Sequence, residues 1–584
     1  MALPFRGLCP LGALCLAAVL AGCSGETGSK VLPIGTVQGS GAVSPLRGQT
    51  VVVEGVVSTT YERSLGGFFM QSASGAEDGD AATADGLFVQ WPDTAPAFKP
   101  GQRLRVRGQV LELGDAGSSL TALGSVTAQA IGDAVIAPVT LNAPAANWEA
   151  LEGMLVRISA PLTVGRNDEL RRYGSVGVSF GGRLFQATER AAPGDAARRL
   201  AAENARRSLL LDDGSDAENP ASVAWLTDAN TPLRAGSEII GVHGVLDQRH
   251  GRYRVQLTQA PDGVVRSERP PPPAVAGNTR IAGLNLLNLF NGDGNGGGFP
   301  TARGARDMAG YQLQQAKLVA VIQALKPDVA ALMEVENDGF GPDSALAQLV
   351  VALNAAPGSA GDWQFVDAGD GPGNDAIRVA LIYRSGRVTA LGRPATITTG
   401  AFAHGSRPPL AQRFRVDRGP AFTVVVNHFK SKGSCPQATG ADRDSGDGQG
   451  CWNAARVAAA SQLDQWIRSD PTHIGGDRAL IIGDLNSYAM EDPITTLTAA
   501  GWRDALALSG VAEPYSYLWD GMAGRLDHAL VTPALAPAVR GAAEWHNNAD
   551  EETAQGYPTG EPGPWRASDH DPLMVGLDID IANP

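Results

Sequence analysis

Five short polar motifs in the second half of the chain carry the residue types that metal-assisted cleavage of a phosphodiester requires. They are Asn285 in a strand-like run, Glu334 in Leu332-Met333-Glu334, His428 in Asn427-His428-Phe429-Lys430, the Gly483-Asp484-Leu485-Asn486 segment, and the closing pair of Asp527-His528 with Ser568-Asp569-His570-Asp571. Four of the five end a hydrophobic segment, the position from which an α/β sheet presents side chains to a ligand. Such cleavage needs a cation on the phosphoryl oxygens, a base for water and help for the leaving oxygen. Glu334 follows the apolar run 329–333, where a carboxylate is costly unless it meets a cation or a partner. Asn285 adds a neutral oxygen of the kind that hard Mg²⁺ or Ca²⁺ accepts. Asp484 and Asn486 follow a buried strand and alternate onto one side of it. Asp527 and His570 suit a carboxylate–imidazole dyad, with Asp569 beside them to reach a metal. His428 has Lys430 and Lys432 behind it, a set suited to a phosphate. Arg378 and Arg413 are further candidates for phosphate contact, with a solvated surface as their alternative reading, and Asp375 is a candidate to orient His428. Any one motif reads equally well as a strand-end polar residue; all five in order do not.

The ordered set Asn285, Glu334, His428, Asp484-Leu485-Asn486, Asp527 and Ser568-Asp569-His570 resembles the endonuclease/exonuclease/phosphatase superfamily, which includes deoxyribonuclease I and the abasic-site endonucleases. Within it, Asn427-His428-Phe429-Lys430-Ser431-Lys432-Gly433 and Gly448-Gln449-Gly450-Cys451-Trp452-Asn453 are similar to bacterial extracellular endonucleases of the ExeM/NucH type. The resemblance covers the second half and implies a deoxyribonuclease I-like four-layer α/β sandwich. It implies metal ligation by Asn285, Glu334 and Asp569, with Asp484 and Asn486 holding phosphate or activating water. His428 and His570 would act as acid and base on opposite sides of the phosphorus, in an order the resemblance leaves open. The implied activity is metal-dependent hydrolysis of DNA, or of RNA, with little sequence preference. Mg²⁺ is the expected ion, with Mn²⁺ or Ca²⁺ as alternatives. Two other readings are a phosphatase or lipid phosphodiesterase on the same fold, and a non-catalytic nucleic-acid-binding lipoprotein.

The elements that must position these residues fall into two regimes. From 37 to 259 the chain shows short strands with turns and almost no helical periodicity. The segment 101–110 alternates with period two, and 236–246 echoes it with one residue inserted, so two OB-like β domains are expected at 37–135 and 136–266. One helix is expected near 196–207. Phe68, Phe69 and Trp91 could offer faces to single-stranded bases, although barrel core is the commoner use of such residues. Arg269-Pro270-Pro271-Pro272-Pro273 marks a stiff linker at 267–278. From 279 to 584 strands alternate with helices: strands at 281–290, 328–333, 379–383, 422–427, 479–483, 526–531 and 573–577, and helices at 311–325 and 452–467.

The chain has 584 residues and a net charge of −14, which argues against a broad basic surface wrapping nucleic acid. It does not exclude a polyanionic substrate, because a cation among carboxylates reverses the local sign. Arg6, an apolar stretch at 8–20 and Leu20-Ala21-Gly22-Cys23 read as a lipoprotein signal at 1–23, with Cys23 lipidated and 24–36 a tether. Ordinary secretion is the alternative. The expected location is the outer membrane or cell surface, reached through that anchor, with release from the cell as an alternative. The expected partner is extracellular nucleic acid, with no obligate protein partner. Export makes a Cys435–Cys451 disulfide the expectation, since no other thiol competes after cleavage.

Overall fold

The β-branched runs Val51-Val52-Val53 and Val56-Val57 suit a strand buried on both faces, and they open the first of two barrels. The structure, a computed structural model, describes residues 30–579 apart from 62–63, 116–117, 227, 229–230, 370–372 and 553–559. Cys23 and the leader lie outside the described residues. In the first barrel β1 (Thr50–Tyr61), β2 (Gly67–Gln71), β3 (Gly86–Gln90), β4 (Gln102–Asp115) and β5 (Ser118–Asp133) run in the order β1-β2-β3-β5-β4. The β4 strand pairs back onto β1 and closes the ring, with β3 and β5 parallel. Phe68 and Phe69 are fully buried and Trp91 packs edge-on against Phe68, so these rings are core and not a base-stacking surface. The barrel also begins before 37. Val31 pairs with Val52, and Ile34 is buried in the core, because those apolar residues are worth more packed than tethering.

The second barrel repeats the order. Its first strand is split at Pro161 into β6 (Leu155–Ile158) and β7 (Leu162–Arg166), followed by β8 (Val176–Phe180), helix α1 (Asp195–Arg207), β9 (Ser208–Asp212), β10 (Val242–Arg249) and β11 (Arg252–Leu257). The pairing runs β7-β8-β9-β11-β10-β6, again with third and fifth strands parallel. The proline-rich segment that follows is not a free spacer. Arg269 pairs with Glu551 at 2.6 Å, and Trp545 Nε1 donates to the Pro270 carbonyl at 2.8 Å, so the segment straps the barrel to the next domain.

That domain holds β12 (Thr279–Leu289), α2 (Met308–Leu325), β13 (Val329–Glu336), α3 (Ala345–Ala355), β14 (Ile377–Arg384), β15 (Thr389–Thr396), β16 (Arg407–Arg415), β17 (Phe422–His428), α4 (Asn453–Arg468), β18 (Ala479–Asp484), α5 (Asp492–Ala499), β19 (Asp527–Val531), β20 (Val539–Glu544) and β21 (Leu573–Leu577). One sheet contains β14-β13-β12-β21-β20, the other β15-β16-β17-β18-β19, each completed by a short edge strand. The sheets face each other across a core that includes Ile281, Met333, Leu381, Val424, Leu480 and Ile482. Helices α2 and α3 cover the outer face of the first sheet and α4 and α5 that of the second, giving four layers. Asp307 and Ser344 cap α2 and α3, each accepting a backbone N–H from the first turn.

The two sheets approach closely at Gly283, where an added Cβ would lie 2.9 Å from Ile482 Cγ1. Gly283→Val is therefore expected to overpack the seam and lower the unfolding free energy by roughly 1–3 kcal/mol, read as a drop in urea midpoint with an unchanged slope.

Candidate active site

Sheet register brings three of the predicted residues side by side. Strands β17 and β18 are parallel and place His428 opposite Asp484; β18 and β19 are antiparallel and place Asp484 opposite Asp527. The opposing sheet contributes Asn285 and Glu334 through two irregularities. The β12–β13 ladder shifts register between Asn285 and Leu289, and the β13–β14 ladder between Leu332 and Val335. Leu287 and Asn288 take left-handed backbone there, as do Glu334 at φ 62° and Asn486 at φ 47°. Such backbone is costly for residues other than glycine and gathers where side chains must be re-aimed. His570 arrives on the loop before β21.

The side chains converge. Asn285 Nδ2 donates to Glu334 Oε1 at 3.2 Å and to Asp484 Oδ2 at 3.4 Å. Glu334 Oε2 accepts from the Asn288 N–H at 3.0 Å. His428 Nε2 lies 3.5 Å from Asp484 Oδ2 and 3.9 Å from Glu334 Oε1. His570 Nδ1 meets Asp527 Oδ2 at 2.6 Å, and Ser516 Oγ donates to the same oxygen at 2.7 Å. Asp484 Oδ1 accepts the Asn486 N–H at 2.8 Å, while Asn486 Nδ2 donates to the Phe429 carbonyl at 3.1 Å. Glu334, His428, Asp484, Asn486, Asp569 and His570 line one cleft of about 600 Å³; Asn285 and Asp527 stand behind it. Of the sequence-predicted set, all eight thus gather at one place.

Burial sets the electrostatics. It raises the Glu334 carboxyl, and Asp569 raises it further. It also lifts Asp484 to about 7, against the pull of His570. The two histidines diverge. Burial, with Arg407 close by, holds His428 well below the usual imidazole range. For His570, burial opposes the charge, but Asp527 and Asp569 outweigh it and hold the ring well above that range.

Three expected phosphate contacts are misplaced. Arg378 is 1% exposed, donates to the Gly339 carbonyl and packs over Phe340 at 4.1 Å. Its neighbour Ile377 lines the cleft, so strand alternation turns Arg378 away. Lys430 lies over the Trp452 ring at 4.7 Å, and Lys432 is the lysine that lines the cleft. Arg413 is buried, donating to Thr423 Oγ1 and the Ala421 carbonyl, well away from the site residues. Asp375 reaches His428 only through Arg407, which it meets at 3.3 Å and which lies 3.3 Å from His428 Nε2. Sequence reasoning missed Arg407, Tyr488, Tyr517 and Trp519, which also line the cleft, and Gln186 from the second barrel. Tyr517 lies against His570, ring centroids 4.6 Å apart. Cys435 and Cys451 are disulfide-bonded beside this wall.

Among the described residues, no three His, Cys, Asp or Glu side chains form a ready-made metal cluster. The donors nonetheless fit a hard divalent cation that keeps several waters, because the carboxylates of Glu334 and Asp569 line the same cleft. As placed, Asn285 Oδ1 accepts from the Leu287 N–H at 3.0 Å, so ligation through that oxygen requires the amide to turn over.

Residues 286–570 match the Endonuclease/Exonuclease/phosphatase family, and residues 143–268 match a domain of unknown function, DUF8508. No curated protein matches the chain. Similar solved structures include the human Nocturnin catalytic domain with bound sulfate, at 18% identity over 52% of this chain and 95% of that one, TM-score 0.33. D. rerio TDP2 complexed with single strand DNA product has 17% identity over 51% and 97%, TM-score 0.33. A Bacteroides thetaiotaomicron mannosyl-6-phosphatase has 15% identity over 51% and 99%, TM-score 0.34.

Burial lowers Lys432 to about 8 despite its pairing with Glu491 at 2.6 Å. The amine is charged below that pH and neutral above it. KM for an anionic substrate is expected to rise as pH climbs through about 8, and Lys432→Arg, which stays charged, should flatten the rise in steady-state assays.

Proposed function

We propose that the endonuclease/exonuclease/phosphatase domain in residues 286–570 hydrolyses phosphodiester bonds of nucleic acid, DNA first, with a divalent cation held at Glu334 and Asp569 and Asn285 turned to join them. The observation that carries this reading is the Asp527–His570 dyad at 2.6 Å, facing half-buried Glu334 and buried Asp484 and His428 across one cleft. A cation there would supply positive charge to the phosphoryl oxygens. Asp527 fixes the His570 ring and its proton through Nδ1, leaving Nε2 for the cleft. Asn486, anchored on the Phe429 carbonyl, and Asp484 define where water or a phosphoryl oxygen sits. His428 reaches the opposite side of the same space beside Arg407. A bound cation would offset the carboxylate charge now acting on His570, so the acid and base roles are set in the loaded site.

Nucleic acid is favoured over a phosphate monoester by the aromatic rim of the cleft. Tyr488 is buried and Tyr517 half-buried at its wall, and Trp519 is 63% exposed at its mouth. Faces of this kind stack bases with little regard to sequence. The two closed five-stranded barrels, with third and fifth strands parallel, support an OB-like reading of the domains before the hydrolase. Lipidation at Cys23 and export are proposed from Leu20-Ala21-Gly22-Cys23, and the Cys435–Cys451 disulfide is consistent with an oxidising compartment. The disulfide loop also supports the ExeM/NucH-type reading.

Supercoiled plasmid incubated with Mg²⁺, Mn²⁺ or Ca²⁺ should be nicked, and excess chelator should stop the reaction. Glu334→Gln and His570→Ala are each expected to cut about 10²–10⁴-fold more slowly. Intact plasmid alongside phosphate release from a sugar phosphate would sink the nuclease reading in favour of a phosphatase.

A further inference from the structure

The second barrel does more than sit beside the hydrolase. Its strand Leu184–Phe185 pairs in parallel with Met522–Gly524, whose other neighbour is Tyr517–Trp519. The resulting three-stranded sheet is therefore built from both domains, and its hydrolase half carries two of the cleft's three aromatics, Tyr517 and Trp519. The contact is close: an added Cβ on Gly165 of the barrel would lie 2.4 Å from the Gly521 carbonyl oxygen at the hairpin turn.

The five residues after that strand reach three separate parts of the site. Gln186 donates its backbone N–H to the Ala523 carbonyl and its Nε2 to the Trp519 carbonyl, both at 2.8 Å. It lines the catalytic cleft and also a cavity of about 650 Å³ between the barrel and the hairpin, so it stands at the divide between them. Thr188 accepts the Met490 N–H through its carbonyl and donates Oγ1 to Glu491 Oε1 at 2.7 Å. Glu491 in turn holds Lys432. Glu189 is buried; its Oε1 pairs with Arg525 Nε at 3.0 Å, and its Oε2 accepts the N–H groups of Arg525 and Ala489 at 3.1 and 3.2 Å. Arg525 precedes Asp527 by two residues in the link that leads into its strand, and Ala489 follows Asn486 by three.

We infer that the segment from Leu184 to Arg190 is a working part of the hydrolase active site, with Glu189 a positioning residue for the Asp484–Asn486 and Asp527 walls and Gln186 a positioning residue for Trp519. The domain of unknown function thereby completes the catalytic centre. A buried carboxylate that bonds two backbone segments and one guanidinium fixes their spacing far more tightly than apolar contact does. A side chain's setting in a cleft governs rate when reacting groups must align within about an ångström. This inference rests on the hydrolase reading of the site, but not on nucleic acid being the substrate.

The test uses the full chain and two substrates: bis(p-nitrophenyl) phosphate, which needs only the reacting centre, and a single-stranded oligonucleotide that also reaches the rim. Kinetics are taken well below each variant's melting temperature. Glu189→Gln is expected to lower kcat on the order of tenfold on both substrates with KM little changed. Gln186→Ala, at a less buried position, should raise KM for the oligonucleotide several-fold more than it raises KM for the small diester. Variants that melt earlier yet keep wild-type kcat and KM on both substrates would reduce the segment to interdomain glue and overturn the inference. Wild-type turnover of the small diester with an intact oligonucleotide would overturn the nucleic-acid reading alone, and the Glu189→Gln comparison on the small diester would still decide the inference.

Discussion

The arrangement depends on holding like charges together out of water. Glu334 and Asp484 both lie within 3.4 Å of one amide nitrogen of Asn285, and Asp527 and Asp569 flank the same space. Isolated buried carboxylates are strongly disfavoured, and they relieve that cost by taking up protons, pairing or binding cations. The basic side chains that line the cleft are engaged elsewhere, Arg303 with Asp375 among them. Arg407 is shared between Asp375 and the edge of His428, and Lys432 is committed to Glu491. At His570 burial opposes the charge, but Asp527 and Asp569 outweigh it and hold the ring well above the usual imidazole range. The carboxylates Glu334, Asp484 and Asp569 that line the cleft carry the charge on which the proposed cation site rests.

That demand explains the backbone. A regular strand would send Asn285 and Glu334 wherever alternation dictates. The paired register shifts, with left-handed residues at 287, 288 and 334, re-aim both toward the second sheet. The four-layer packing makes such distortions affordable, since the apolar seam from Ile281 to Ile482 holds the strands in place on both sides of them. Lys326, at the left-handed end of α2, is an ordinary helix stop by comparison, far from any reacting group.

Much of this was legible in the letters because it is local. A run of β-branched residues ending in Asp484 or His428 announces both a strand and what stands at its tip. Hence the strands from 281 to 577 lie within a few residues of their expected places, and all eight proposed catalytic and metal-site residues meet. The failures have equally local causes or none at all. Strand Arg407–Arg415 carries Pro408 and Pro409, which mask its pattern; the ladder shifts register there, and Arg407 was missed with it. Arg378 was misjudged because a charge beside a buried strand reads as exposed, whereas here its guanidinium lies over a phenyl ring. Gln186 left no signal, since its role is created by residues more than 300 positions away.

Buried ion pairs cross the contact between the second barrel and the α/β domain. Arg183 grips Asp550 with two bonds of 2.8 and 3.0 Å, Arg234 pairs with Glu551, and Glu189 pairs with Arg525, all largely buried. Pairs of this kind contribute little net stability, because desolvation offsets most of their attraction, but a misaligned arrangement would strand charges without partners. Apolar surfaces tolerate sliding; these do not. An interface selected for holding power alone would use leucines, so the choice of ion pairs argues that the angle between the domains is what matters. The same contact carries the pairing of Leu184–Phe185 with Met522–Gly524, the strand beside Trp519 at the cleft mouth.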